Sequence, residues 1–222
     1  MSSSLPQQHT SKGLLGSSLI VASMTMLSRV LGLVRDIVIA SMFGAGSHAD
    51  AFFVAFKIPN FLRRLFAEGA FNQAFVPVLA EISQQGDRQL LKAMVSKVSG
   101  SLLLVLSVIT VAALVAAPVL ALVFAPGFAD DGDKLGLTAD MLRITFPYLL
   151  LISMTGFLGS LLNHAQRFAI PALTPVLLNL SLITAALWLA PQMRVPVMAL
   201  AWGVLAAGIL QLALQLPFVA RL

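Results

Sequence analysis

Two stretches, SRVLGLVRDIVIASMF (28–43) and AFFVAFKIPNFLRRLFAE (51–68), decide what kind of molecule this chain forms. Each is apolar enough to enter a bilayer, yet together they carry Arg29, Arg35, Asp36, Lys57, Arg63, Arg64 and Glu68. On insertion scales one charge at bilayer depth costs about 2.5–3.5 kcal/mol, so seven facing lipid would cost roughly 18–25 kcal/mol. A typical domain is stable by only about 5–15 kcal/mol. The seven must therefore line a polar cavity or pair with one another. Five are positive and two negative, so such a cavity suits an anionic cargo.

The rest of the chain agrees with a bilayer setting. Of its 222 residues, 59% are hydrophobic and 10% charged, and the mean hydropathy is +0.94. Soluble domains run about 45–50% apolar and 25% charged. The composition predicts an all-α integral membrane protein. With no cysteine there is no disulfide frame, thiolate zinc site or cysteine nucleophile. His9, His48 and His164 are far apart and form no metal-binding spacing. The net charge of +5 is read as membrane orientation and contact with anionic lipid, with no nucleic-acid partner.

Residues 1–12, MSSSLPQQHTSK, are polar and expected to form a disordered cytoplasmic leader. The apolar run after them outlasts a signal peptide's core and lacks a cleavage site, so a retained first span is expected. Residues 13–222 are expected to form one six-helix transmembrane lobe, with spans near 14–43, 50–80, 98–124, 141–162, 172–190 and 196–218. The first two, roughly 45 Å as straight helix, exceed a hydrocarbon core of about 30 Å and must tilt, kink or protrude. Pro59, Pro118, Pro147 and Pro175 offer kink sites. Lys12, Arg88, Lys92, Lys97, Arg167 and Arg221 fall on one side. Asp50, Asp130, Asp131, Asp133 and Asp140 fall on the other, with Lys134 and Arg194. The positive-inside rule then puts both termini in the cytoplasm. DDGD (130–133) lacks the later glutamate of a calcium loop and reads as a solvated external loop.

Helical spacing sorts the charges. Ser18, Ala22, Thr25, Arg29, Gly32, Asp36 and Ala40 form one small and polar stripe, opposite Leu19, Met26, Leu27, Val30, Leu33, Val34 and Ile37. Arg35 lies about 100° from Asp36, on the side of Ser28. Gly32 leaves a notch for a ligand or a bend. In the second stretch Asp50, Lys57, Asn60, Arg64, Glu68 and Asn72 share a side. Arg64 and Glu68 have the spacing to neutralise each other, which leaves Arg63 the freer cation. Lys57 either lines the cavity or snorkels to an interface. The third span is bland Leu/Val/Ala and suits lipid. Asn163 and Asn179 read first as helix–helix hydrogen bonds.

Four of the five cations are arginines. Guanidinium keeps its charge in a low-dielectric cavity and pairs bidentately with phosphate oxygens, so the set fits phosphate better than proton relay. SRVLGLVRD (28–36), FGAG (43–46), DAFFVAFKIPNFLRRLFAEGAFNQAFVPV (50–78) and RFAIPALTPVLLN (167–179) together resemble the MurJ/MviN family, lipid II flippases of the multidrug/oligosaccharidyl-lipid/polysaccharide exporter superfamily. The resemblance runs from about Lys12 to the end of the sequence and implies the fold of that superfamily's amino-terminal lobe. It implies a transporter, not an enzyme, in the bacterial cytoplasmic membrane, flipping undecaprenyl-diphosphate-linked disaccharide pentapeptide by alternating access. Carried over by motif, Arg29, Arg35 and Asp36 become cargo-binding residues of the first helix, Asp50 and Arg63 cavity or gate residues of the second, and Asn179 a further contact.

Family members have a second, pseudo-symmetric lobe that this sequence does not contain. The implied partners are therefore lipid II, membrane lipids, and a carboxy-terminal lobe or partner copy that completes the cavity. No cofactor is implied, and a coupling ion would belong to the second lobe. The alternatives are an exporter of another polyprenyl-linked glycan, or a membrane fragment that inserts and packs without transporting. An enzyme acting on polyprenyl diphosphate would need a metal-binding acidic pair or a histidine base beside the arginines, and only His48 near Asp50 comes close.

Overall fold

Without water to solvate the backbone, a segment in hydrocarbon must pair its own N–H and C=O groups, and helix does this within one segment. The structure, a computed structural model, describes residues 8–44, 46–63, 71–84 and 88–221, and every regular element among them is helical. α1 (Gln8–Phe43) has 36 residues, about 54 Å of helix, and starts inside the segment expected as a leader. α2 (Ser47–Arg63) and α3 (Phe71–Gln84) stand where one second span was expected. Arg64 and Glu68 lie outside the described residues, as does the side chain of Arg63. α4 (Arg88–Val115) and α5 (Ala117–Phe124) replace the third span, and α6 (Gly132–Thr145) and α7 (Pro147–His164) the fourth. α8 (Ala169–Ala172) leads to α9 (Thr174–Thr184), which continues through a π turn (Ala185–Leu189) and a 3-10 turn (Ala190–Gln192). α10 (Met198–Val219) closes the chain.

Two helices begin earlier than hydropathy predicts. α4 extends back past Lys97 and Lys92, both exposed, because a helix does not stop where its surroundings turn from lipid to water. α6 starts at Gly132 because the Asp131 side chain caps it, accepting from the Lys134 N–H at 3.0 Å. Among the described residues four helical runs are long and apolar enough to cross a membrane: Gln89–Val115, Gly132–His164, Ala169–Gln192 and Met198–Val219. The chain is an all-helical membrane protein.

The expected prolines punctuate these runs. Pro118, Pro147 and Pro175 each sit in the first turn of a new helix, whereas Pro59 is accommodated inside α2. Pro175 leaves the Pro171 carbonyl without its N–H four residues on, and the Thr174 hydroxyl donates to that carbonyl instead.

Aromatic and aliphatic residues of α2, α6, α7 and α10 make the main core: Phe52, Ile58, Leu142, Phe146, Tyr148 and Val204 are all fully buried. Thr145 donates to the Ala55 carbonyl at 2.9 Å inside it. Glycines let α10 approach its neighbours closely, as small residues do between membrane helices. A Cβ at Gly203 would lie 2.7 Å from the Ala185 Cβ, and one at Gly208 2.8 Å from the Tyr148 ring. A smaller cluster joins Phe75 and Leu79 of α3 to Phe157 of α7, with the two phenyl centroids 5.0 Å apart.

α1 packs at the edge, against α9 and α8. Leu19, Met26, Leu27, Val30, Leu33, Val34 and Ile37 are all exposed, the face that the periodicity assigned to lipid. Only 17% of the apolar window of α4 is buried, so most of that helix is likewise left for lipid.

Candidate functional site

The face of α1 that meets the bundle carries Ser28, Gly32, Arg35 and Ile39, at the i, i+4, i+7, i+11 spacing of one helical stripe. Opposite it, α9 contributes Asn179, which is buried. The Asn179 Nδ2 donates to the Ser28 carbonyl at 2.9 Å and to its Oγ at 3.4 Å. Its Oδ1 accepts from Arg35 Nη1 at 2.9 Å. Reversing the amide would set donor against guanidinium donor and oxygen against carbonyl, so these partners fix its orientation. The amide lies over Gly32, where a Cβ would make ordinary contact at 3.8 Å. The notch expected to admit a ligand or a bend therefore holds a side chain of the bundle.

Arg35 is held from a second side. Its Nε and Nη2 donate to Asp36 Oδ1 at 2.9 and 2.7 Å. A guanidinium has five N–H donors; among the described residues Asp36 takes two and Asn179 one, which leaves two for a further acceptor. The Arg35 side chain is 23% exposed and that of Asp36 61%, so the pair faces open space. That space is a cavity of about 1110 Å³ between α1, α2 and α9. Its polar lining is Arg35, Asp36, Lys57 and Asn60, among phenyl rings from Phe52, Phe56 and Phe61. Asp36 balances one cation, and Lys57 has no ion-pair partner among the described residues. The lining is therefore net positive, with guanidinium donors ready for an acceptor and apolar walls beside them.

The other residues singled out by sequence are placed apart. Arg29 is exposed on α1, lies on a different side from Arg35, and does not line the cavity. Asp50 sits in the first turn of α2 and pairs with Lys134 Nζ at 2.9 Å. Lys134 also lies 4.0 Å from the Phe128 ring centroid, so Asp50 is tied to the α5–α6 connection and not to the arginines. Arg63 ends α2, with its side chain outside the described residues. Asn179 alone joins Arg35 and Asp36 from afar.

Sequence reasoning underrated two residues. Lys57 shares a helical side with Asn60, and that pairing was the available signal for a cavity position over snorkelling. Lys134 is the one cation in an acidic loop, a hint that it serves a particular carboxylate; Asp50, 84 positions away, could not be picked out from spacing.

The lipid II flippase MurJ family model matches residues 39–222. A probable lipid II flippase MurJ of Haemophilus influenzae is 50% identical over 205 residues, covering 89% of this chain and 40% of that protein. The lipid II flippase MurJ of Burkholderia cenocepacia is 47% identical over 199 residues, covering 90% and 39%. A solved lipid II flippase MurJ in an inward closed conformation superposes with a TM-score of 0.78 at 27% identity, over 91% of this chain and 42% of that one. The chain thus spans about 40% of the length of the curated relatives it matches.

Proposed function

Because the chain belongs to the lipid II flippase MurJ family, we propose that it forms the amino-terminal lobe of a flippase for lipid II, the undecaprenyl-diphosphate-linked peptidoglycan precursor. The carrying observation is Arg35: a guanidinium fixed by Asn179 and Asp36, with two donors left over, on the wall of a net positive cavity. Two adjacent N–H donors suit the oxygens of a phosphate, and prior fixing of the side chain reduces the ordering cost of binding. Lys57 adds a second cation.

In this reading the protein is a transporter of the bacterial cytoplasmic membrane, with six spans and both termini cytoplasmic. A second lobe completes the cavity, holds any coupling ion, and rocks against this one to expose the cargo alternately to the two leaflets. Arg29, on the polar stripe of α1 with Thr25 and Asp36, faces that lobe, while the apolar side of α1 stays in lipid. Asp50 acts with Lys134 at the outer end of α2, as a gate residue more than a cargo contact.

The test is complementation. Cells depleted of their own flippase should recover when they express the protein that carries this lobe, and Arg35→Ala should abolish recovery while membrane insertion is unchanged. Loss of hydrogen bonds to a charged group, about 1.5–3 kcal/mol each, predicts at least about a tenfold fall in lipid II exposed outside. Normal exposure with Arg35→Ala would sink the reading.

A further inference from the structure

A second cavity, about 810 Å³, lies between α9 with its π turn and α10. It is away from Arg35 and has no part in the cargo reading. Its walls are Leu180, Trp188, Met193, Trp202, Ala206 and Leu210. Trp188 is 74% exposed and Trp202 45% exposed, and these are the two tryptophans of the chain. Neither indole N–H has a hydrogen-bond partner among the described residues.

The floor of the groove is already closed from within. Ser181 Oγ donates to the Gly203 carbonyl at 2.7 Å, and the ideal Gly203 Cβ position is 2.7 Å from the Ala185 Cβ. The small-residue seam that a partner helix would use is therefore occupied by α9 itself. What remains is a slot with adaptable Leu and Met walls and two amphipathic indoles, which fits a linear hydrocarbon chain better than a helix. Indoles with free N–H groups favour the membrane interface, where ester and phosphate oxygens accept from them.

Charge identifies the head group. Arg194 directly follows the lining residue Met193 and is exposed. The loop-charge alternation of the sequence puts it on the side of the membrane that carries Asp50 and the Asp130–Asp140 carboxylates. The other basic residues there have local partners: Lys134 pairs with Asp50, and Arg143 with Asp140 at 2.7 Å. Arg194 has none among the described residues.

We propose that this groove binds one acyl chain of an anionic phospholipid, with the lipid phosphate at Arg194 and its glycerol esters at the two indoles. The inference depends on the chain lying in a membrane and not on lipid II transport.

The two tryptophans make the test specific. The 222-residue chain is reconstituted in phosphatidylcholine nanodiscs with a small fraction of brominated-chain phosphatidylglycerol, or with the same fraction of brominated-chain phosphatidylcholine, and tryptophan quenching is read. The anionic lipid should quench as if locally enriched about fivefold, the Boltzmann equivalent of about 1 kcal/mol per basic residue at an anionic surface. Arg194→Gln should reduce its quenching to the phosphatidylcholine level at unchanged helix content. Ala206→Phe, which fills the slot, should remove the enrichment with Arg194 intact. Equal quenching by both lipids in the unaltered chain overturns the proposal, as does enrichment that survives Arg194→Gln. Protection from both lipids that grows with protein concentration also overturns it, and assigns the groove to a second copy.

Discussion

Replacing Asn179 by leucine probes whether α9 positions the cavity arginine. Leucine nearly matches asparagine in size but removes both the acceptor for Arg35 and the donor to Ser28. Hydrogen bonds to a charged group contribute about 1.5–3 kcal/mol in soluble proteins, while those between membrane helices average about 0.6 and reach about 1.7. Arg35 borders an open cavity and keeps its two bonds to Asp36, which argues for about 1–1.5 kcal/mol from Asn179. The neutral bond to Ser28 adds about 0.5 kcal/mol. Asn179→Leu should therefore cost about 1.5–2 kcal/mol, or about 3–8 °C at 2–4 °C per kcal/mol. Reversible unfolding in mixed micelles, followed by circular dichroism, gives the single-variant value. A double-mutant cycle with Arg35→Met isolates the pair, and a cycle with Arg29→Met is the control, since Arg29 lies on another side of α1. Coupling of about 1 kcal/mol to Arg35 and none to Arg29 is the expected pattern. An Asn179–Arg35 coupling inside the additivity margin of about 0.3–0.5 kcal/mol would refute the positioning role.

The same unfolding measurement checks four further expectations. Gly203→Ala drives a Cβ to 2.7 Å from the Ala185 Cβ and should cost about 1–3 kcal/mol by overpacking; adding Ala185→Gly should restore most of it. Gly159→Ala, whose nearest neighbour would be Pro171 Cβ at 3.5 Å, should stay within about 0.5 kcal/mol of the parent. Asp131→Ala removes the cap of α6 and should cost about 1 kcal/mol, with amide exchange rising first near Lys134. Asp50→Asn should cost less than about 1 kcal/mol, because Asp50 is 59% exposed. That difference should fade as salt shortens the screening length from about 10 Å at 0.1 M to about 3 Å at 1 M.

Much of this was legible before any fold was known. Periodicity alone identified the exposed side of α1, because lipid selects apolar side chains one by one wherever it touches a helix. Proline positions marked three of the helix breaks, since a missing N–H acts locally. The start of α6 was readable in principle, as Asp131 at the N-cap with Asp133 in the first turn is a local helix-start signal. Hydropathy passed over it because a cap is polar.

The division of labour among the charges was not legible. Spacing grouped Arg29, Gly32 and Asp36 on one stripe, yet of these the bundle covers only Gly32 and reaches past it to Ser28 and Arg35 on the neighbouring side. A helix has no preferred face until a neighbour supplies one, and the neighbour here, Asn179, is 144 positions from Arg35. The pairing of Asp50 with Lys134 and the exposure of Lys57 to the cavity depend in the same way on how α2 meets α5, α6 and α9. The sequence by itself determined that charges in an apolar chain must be sheltered, because the cost of hydrocarbon is a property of each residue. Which charge is sheltered by which partner was decided only by tertiary packing, because a hydrogen bond of 2.9 Å is a property of two backbones brought together.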